Sequence, residues 1–232
     1  MEPVVFLPGF MSDGRIFRDL IEPMSRSRTV QVASLSGVDT VREMAAKVLE
    51  SLPGRCMLVG HSLGARVALC ALGDGAPIDK MILLAAAEFS LPAQSALDSA
   101  AGRDVQVLNV PSRENDLFDF AMERLVRAPE PGARMIGHGL PPMPNVATLQ
   151  LDHDEALTRL RRTGFPIARP ERRICHWSPY LRPGVFPLYR AMLSGALPFA
   201  QLRAILPSEI APRWSRLLPR APRLPLPALL AR

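Results

Sequence analysis

Gly60-His61-Ser62-Leu63-Gly64 follows directly on the apolar run Cys56-Met57-Leu58-Val59, and this junction decides the fold. The run has the length and composition of a strand buried on both faces. The stretch after it, Ala65-Arg66-Val67-Ala68-Leu69-Cys70-Ala71-Leu72, reads as a helix that Gly73 ends. A serine on so sharp a strand-to-helix turn must take a backbone conformation that residues with a side chain avoid. The positions two before and two after it must then lack side chains so that strand and helix can close on each other. Five-residue patterns of this kind also arise by chance in loops. The strand before and the helix after make Ser62 a candidate nucleophile at the end of a sheet.

Outward from this unit, short apolar runs alternate with longer amphipathic stretches, the pattern of βαβ units and of a parallel sheet with helices on both faces. Strands are expected over 4–7, 29–34, 56–60, 80–87 and 105–110, and helices over 14–24, 41–52, 63–72, 91–101 and 116–126. Thr40 and Glu43 form a capping box before the second helix. The connection between 87 and 105 holds one helix and leaves no room for an inserted cap, so the site is expected to be open. Beyond residue 127 the pattern loosens into a Pro- and Gly-rich stretch over 129–144, a strand over 146–152 and a helix over 155–163. The expected division is one domain over 1–205 and a Pro- and Arg-rich tail over 206–232, irregular and on the surface, from which Leu217, Leu218, Leu224 and Leu226 could dock on the body.

The composition of the 232 residues narrows the function classes. Lys and Arg number 28 against 22 Asp and Glu, a net charge of +6. The basic residues, nearly all arginine, are scattered and form no run that would mark a nucleic-acid partner. Cys56, Cys70 and Cys175 make no disulfide framework or metal-ligand spacing, and the first two read as small core residues. The chain runs from Met1-Glu2-Pro3 straight into the strand Val4-Val5-Phe6-Leu7, and no segment has the apolar length to span a bilayer. The expectation is a cytoplasmic protein without cofactor or metal.

With the junction at 60–64, the early loop Leu7-Pro8-Gly9-Phe10 and the alternating β/α pattern in view, the chain resembles the α/β-hydrolase superfamily over residues 3–180. The resemblance implies an α/β-hydrolase fold without a large cap and a triad in the chain order Ser, acid, His. It puts the acid in Pro111-Ser112-Arg113-Glu114-Asn115-Asp116, after the strand Val105–Val110, and Asp116 is the choice there. Glu114, Asp119 and Glu88 are alternatives, and capping of the helix behind it is the competing role for Asp116.

Three histidines follow Asp116. His138 lies in Gly137-His138-Gly139 after a very short strand, and His153 ends the strand over 146–152. His176 lies in Cys175-His176-Trp177-Ser178-Pro179-Tyr180, the densest aromatic and proline segment of the chain. That segment is similar to one in a group of bacterial α/β hydrolases, and this selects His176, with His153 and His138 as alternatives. His61 is expected to pack behind the nucleophile. The oxyanion donors implied are the Leu63 N–H, at the start of its helix, and the Phe10 N–H. Phe10, Phe89, Leu91, Phe118 and Trp177 are candidate pocket walls.

The activity the resemblance implies is hydrolysis of an ester of a small-molecule acyl substrate by a Ser62-His176-Asp116 triad through an acyl-enzyme. The alternatives are thioester hydrolysis or acyl transfer by the same residues, and a non-catalytic scaffold that binds a ligand or partner.

Overall fold

The computed structural model describes residues 1–217. Six strands, β1 (Val4–Leu7), β2 (Val30–Val32), β3 (Cys56–His61), β4 (Ile78–Leu84), β5 (Gln106–Val110) and β6 (Val146–Thr148), form one sheet in the order β2-β1-β3-β4-β5-β6. Every neighbouring pair is parallel. The helices are α1 (Arg18–Ser25), α2 (Val41–Ser51), α3 (Leu63–Gly73), α4 (Ser90–Asp98), α5 (Asp116–Leu125), α6 (Asp154–Arg162), α7 (Ser178–Leu181), α8 (Val185–Ser194) and α9 (Phe199–Ile205).

Alternation along the strands divides the core into two layers. Val4, Phe6, Met57 and Val59 face α1, α6, α8 and α9, while Val5, Leu7, Cys56 and Leu58 face α2, α3 and α4. Both faces of the sheet are covered, which is why the strands read as unbroken apolar runs. The capping box on α2 is formed: Glu43 N–H donates to Thr40 Oγ1 at 3.2 Å and Thr40 N–H to Glu43 Oε2 at 3.0 Å.

The last expected strand is shorter than its pattern suggests. β6 ends at Thr148, yet Leu149 N–H still donates to Asn109 O and Leu151 N–H to Pro111 O. The extended chain thus continues beside β5 as single hydrogen bonds rather than a ladder. A single helix, α4, joins β4 to β5, so no cap interrupts the fold at that connection.

Residues 206–217 carry a side chain that enters the body: Arg213 is only 2% exposed and Ser215 is fully buried. Leu218, Leu224 and Leu226 lie outside the described residues. Among the described residues no helix is long and apolar enough to cross a membrane.

Candidate active site

Ser62 joins β3 to α3 with φ 53° and ψ −119°, a conformation in the left-handed half of backbone space that costs an L-residue about 1–3 kcal/mol. The surroundings hold it there. Ser62 N–H donates to Leu84 O at 2.9 Å, and Ser62 O accepts from Ala65, Arg66 and Ala87 N–H. The flanking glycines are required by contact. A Cβ on Gly60 would lie 2.6 Å from Ala65 Cα, and one on Gly64 would fall on the Leu7 carbonyl.

The described non-glycine residues with positive φ are Met11, Ser62 and Ala85. Each lies just past the carboxyl end of a strand, β1, β3 or β4, so the strain gathers at the edge of the sheet where ligands of open parallel sheets bind.

The loop after β1 lies against Ser62, since a Cβ on Gly9 would lie 2.9 Å from Ser62 Cβ. Gly9 O accepts from Ser12 N–H at 3.2 Å and from Ser12 Oγ at 2.9 Å, closing a tight turn over Phe10 and Met11 with Met11 at φ 57°. Neither Phe10 N–H nor Leu63 N–H donates to an acceptor among the described residues, and the Leu63 amide sits at the positive end of α3. A cleft of about 540 Å³ opens beside this turn, lined by Phe10, Met11, Val32, Leu35, Met44 and Leu63 among others.

His176 reaches this edge from the segment before α7. Its ring lies 4.7 Å, centroid to centroid, from that of His61, the residue preceding Ser62, and 4.8 Å from Phe118. Below it His61 is buried, with Tyr180 edge-on at 5.1 Å, and His61 Nε2–H donates to the His176 carbonyl at 3.3 Å. Burial pushes His176 down to about 4, and burial together with His176 pushes His61 down to about 3. Both rings are therefore neutral near pH 7. His176 Nδ1 lies 2.6 Å from Asn115 Oδ1. An amide oxygen can only accept, so Nδ1 carries the proton and Nε2 the lone pair. Neither His176 Nε2 nor Ser62 Oγ makes a hydrogen bond among the described residues.

The structure does not bring Asp116, the expected acid, to His176, the expected base. Asp116 is fully buried but turned away from His176: Arg213 Nε donates to Oδ1 at 2.9 Å, Ser215 Oγ to Oδ1 at 2.6 Å and Ser215 N–H to Oδ2 at 2.9 Å. The reason is helical geometry. Asn115 ends a 3₁₀ turn over 113–115 and Asp116 begins α5, and successive helical residues point about 100° apart. The residue beside the His176 ring is therefore an amide, Asn115. Asn115 is signalled in the sequence only by its place in the loop after β5, where a search for a carboxylate passes over it.

The alternatives are engaged elsewhere. Glu114 pairs with Arg182 and accepts from Ser112 Oγ. Glu88 lies 3.3 Å from Arg66 and accepts from Phe89 N–H, and burial raises its pKa. His153 accepts from Ala156 N–H through Nδ1 as the cap of α6, and His138 lies against Glu123 and Ser215. Asp119, one turn after Asn115, accepts from Asn115 Nδ2 at 2.9 Å and faces Arg213 at 2.8 Å. Burial pushes its carboxyl up to about 7, against the pull of Arg213 and with a further rise from Asp116 and Glu123.

Of the expected pocket walls, Phe10 lines the cleft and Phe118 lies on His176. Leu91 and Trp177 are exposed, and Phe89 is buried in a small cluster with Met135. Cys56, Cys70 and Cys175 are free thiols, and burial raises the Cys56 thiol to about 11. No group of His, Cys, Asp or Glu among the described residues has the arrangement of a metal site.

The parallel sheet, with β3 near its centre, and the left-handed Ser62 directly after that strand are those of an α/β-hydrolase fold, and the chain has that fold. No family model matches the sequence. No curated protein matches it either. Among solved structures the chain is similar to lipase B of Aspergillus fumigatus at 12% identity, over 89% of this chain and 57% of that one, with a TM-score of 0.49. It is similar to an esterase of Exiguobacterium antarcticum at 14% identity, over 70% and 89% of the two chains, with a TM-score of 0.43. The pyrethroid hydrolase PytH is 19% identical over 38% of this chain, with a TM-score of 0.33, and the match spans 40% of that hydrolase.

Proposed function

We propose that the protein is a serine hydrolase that cleaves a carboxylic ester with an apolar acyl or alcohol part. The observation that carries this reading is Ser62, held at φ 53° over the sheet with a neutral imidazole packed against its neighbour. Backbone strain of this kind persists only where the surroundings enforce it, and it collects at functional sites.

In the proposed reaction Ser62 Oγ attacks the ester carbonyl carbon as His176 Nε2 takes the hydroxyl proton. The carbonyl oxygen, now negative, receives the Phe10 and Leu63 N–H groups. Collapse expels the alcohol, which leaves with the proton held on His176. A water then gives its proton to the same nitrogen and attacks the acyl-enzyme, and as the acid departs His176 returns that proton to Ser62 Oγ. The amide of Asn115 keeps the accepting lone pair of His176 at Nε2 throughout. The cleft beside the Phe10 turn, with Val32, Leu35 and Met44 in its wall, supports an apolar substrate group.

The test is labelling by a fluorophosphonate probe, with turnover of p-nitrophenyl esters of graded chain length. Ser62→Ala is expected to lose both, and His176→Ala to lose turnover by a factor of about 10³ or more. A wild-type protein that is neither labelled nor active on any chain length overturns the reading and favours the non-catalytic scaffold. Faster turnover of acyl thioesters than of the matching oxygen esters would move the assignment to a thioesterase.

A further inference from the structure

An amide beside the base raises a question of direction. A carboxylate presents an acceptor whichever way it turns, whereas an asparagine can present either its oxygen or its NH₂ to the imidazole, and the two orientations select opposite tautomers. With the NH₂ turned toward His176, Nδ1 would have to accept and Nε2 would carry the proton, leaving nothing to receive the hydrogen of Ser62.

We propose that Asp119 is the positioning residue for the base, acting through Asn115, and that Arg213 from the C-terminal segment holds Asp119 in place. The proposal rests on the hydrolase reading above only for its activity readout. Asp119 Oδ1 accepts from Asn115 Nδ2 at 2.9 Å while its Oδ2 faces Arg213, so the amide turns its NH₂ to this side and its oxygen to His176 Nδ1 at 2.6 Å. The two residues stand four apart at the start of α5, a spacing that puts them on one face.

Asp119 is itself confined. It is 2% exposed, Arg213 Nη2 lies 2.8 Å from its Oδ2, and a Cβ on Gly137 would fall on that oxygen, so the carboxylate has no room to turn. Arg213 has no freedom either: it donates to Asp116, to Ser112 O and to the Gly137 carbonyl. The chain of contacts thus runs from Arg213 through Asp119, on the first turn of α5, and Asn115 to the tautomer of His176.

The experiment exchanges the two side chains. In Asp119→Asn the carboxylate that fixes the amide is gone, so Asn115 can turn its NH₂ to His176. Turnover is expected to fall by a factor of roughly 10²–10⁴ with KM unchanged, the size of loss that follows a wrong tautomer at a serine hydrolase. Imidazole nitrogen chemical shifts should show the His176 proton moving from Nδ1 to Nε2. The double exchange, Asn115→Asp with Asp119→Asn, puts an acceptor back at His176 with an amide donor behind it. It should bring turnover back to within about tenfold of wild type and return the proton to Nδ1.

A merely structural Asp119 predicts that the double exchange is as impaired as Asp119→Asn and that the tautomer does not move in either; that result overturns the proposal. If Asp119→Asn does not fold, the double exchange decides alone, by the same two readouts. The nitrogen shifts need no turnover. A protein without esterase activity whose tautomer follows the exchange would refute the hydrolase reading and leave this one standing.

Discussion

Replacing Asn115 by aspartate places a carboxylate where an amide oxygen now lies 2.6 Å from His176 Nδ1. In the native protein burial pushes His176 down to about 4, and no carboxylate hydrogen-bonds to it among the described residues. An opposite charge at hydrogen-bond distance stabilises the imidazolium and raises a histidine pKa by roughly 1–3 units, about 1.4–4 kcal/mol. Asp119 takes part in the response. The new carboxylate would face it across what is now a 2.9 Å hydrogen bond, and two carboxylates that close share a proton. Asp119, already pushed up to about 7, is the one expected to hold that proton, leaving the charge at 115.

The acid limb of kcat/KM, which reports the free enzyme, should therefore lie near pH 4 in the wild type and at roughly pH 5–7 in Asn115→Asp. Ester hydrolysis measured from about pH 3.5 to 8 in both proteins checks this. A wild-type limb near pH 6.5, the ordinary histidine value, or limbs that coincide in the two proteins, would refute the reasoning, because either means that the amide is not what faces the base.

Ser62→Gly should abolish ester hydrolysis while raising stability by about 0.5–2 kcal/mol in urea unfolding, since glycine accepts φ 53° without strain and loses only part of that gain to its freer unfolded chain. Phe10→Pro removes the proposed oxyanion N–H at a turn position that suits proline. It should slow turnover by a factor of roughly 10²–10³, about 2.7–4 kcal/mol, with an unchanged unfolding midpoint; full activity would remove Phe10 from the oxyanion hole. His61, with a folded pKa pushed down to about 3 against 6.5 unfolded, takes up its proton more readily in the unfolded chain, so stability is lost as pH falls from 6.5 toward 3. His61→Phe should lack this loss, and the difference in its favour should grow by about 2–3 kcal/mol between roughly pH 6.5 and 4.5 in denaturant titrations.

The elbow, the doubly covered sheet and the α2 cap are legible because each is written in a few consecutive residues. Strand ends are less so: the apolar run that suggests a strand to residue 87 ends as β4 at Leu84, and Ala85 turns to φ 43° to accommodate the site. Helix α8 is written in the sequence but disguised. Val185, Leu188, Tyr189, Met192 and Leu193 are its buried face at helical spacing, and a proline in the first turn, where proline is tolerated, breaks the look of a helix.

The partner of His176 is not legible. Choosing between Asn115 and Asp116 needs the direction in which the chain leaves a 3₁₀ turn, and charge alone favours the wrong neighbour. The burial of Arg213 depends on acids 94 and 97 positions earlier in the chain, and no local pattern in a proline-rich segment announces it.

The dependence on Arg213 gives the site a schedule. During synthesis the Ser62 turn, His176 and both acids of α5 are made before residue 213 emerges, and until then Asp116 and Asp119 lack their shared counter-ion. A fold formed before that point would enclose both acids uncompensated, so the segment around residue 213 completes the packing beneath Asn115.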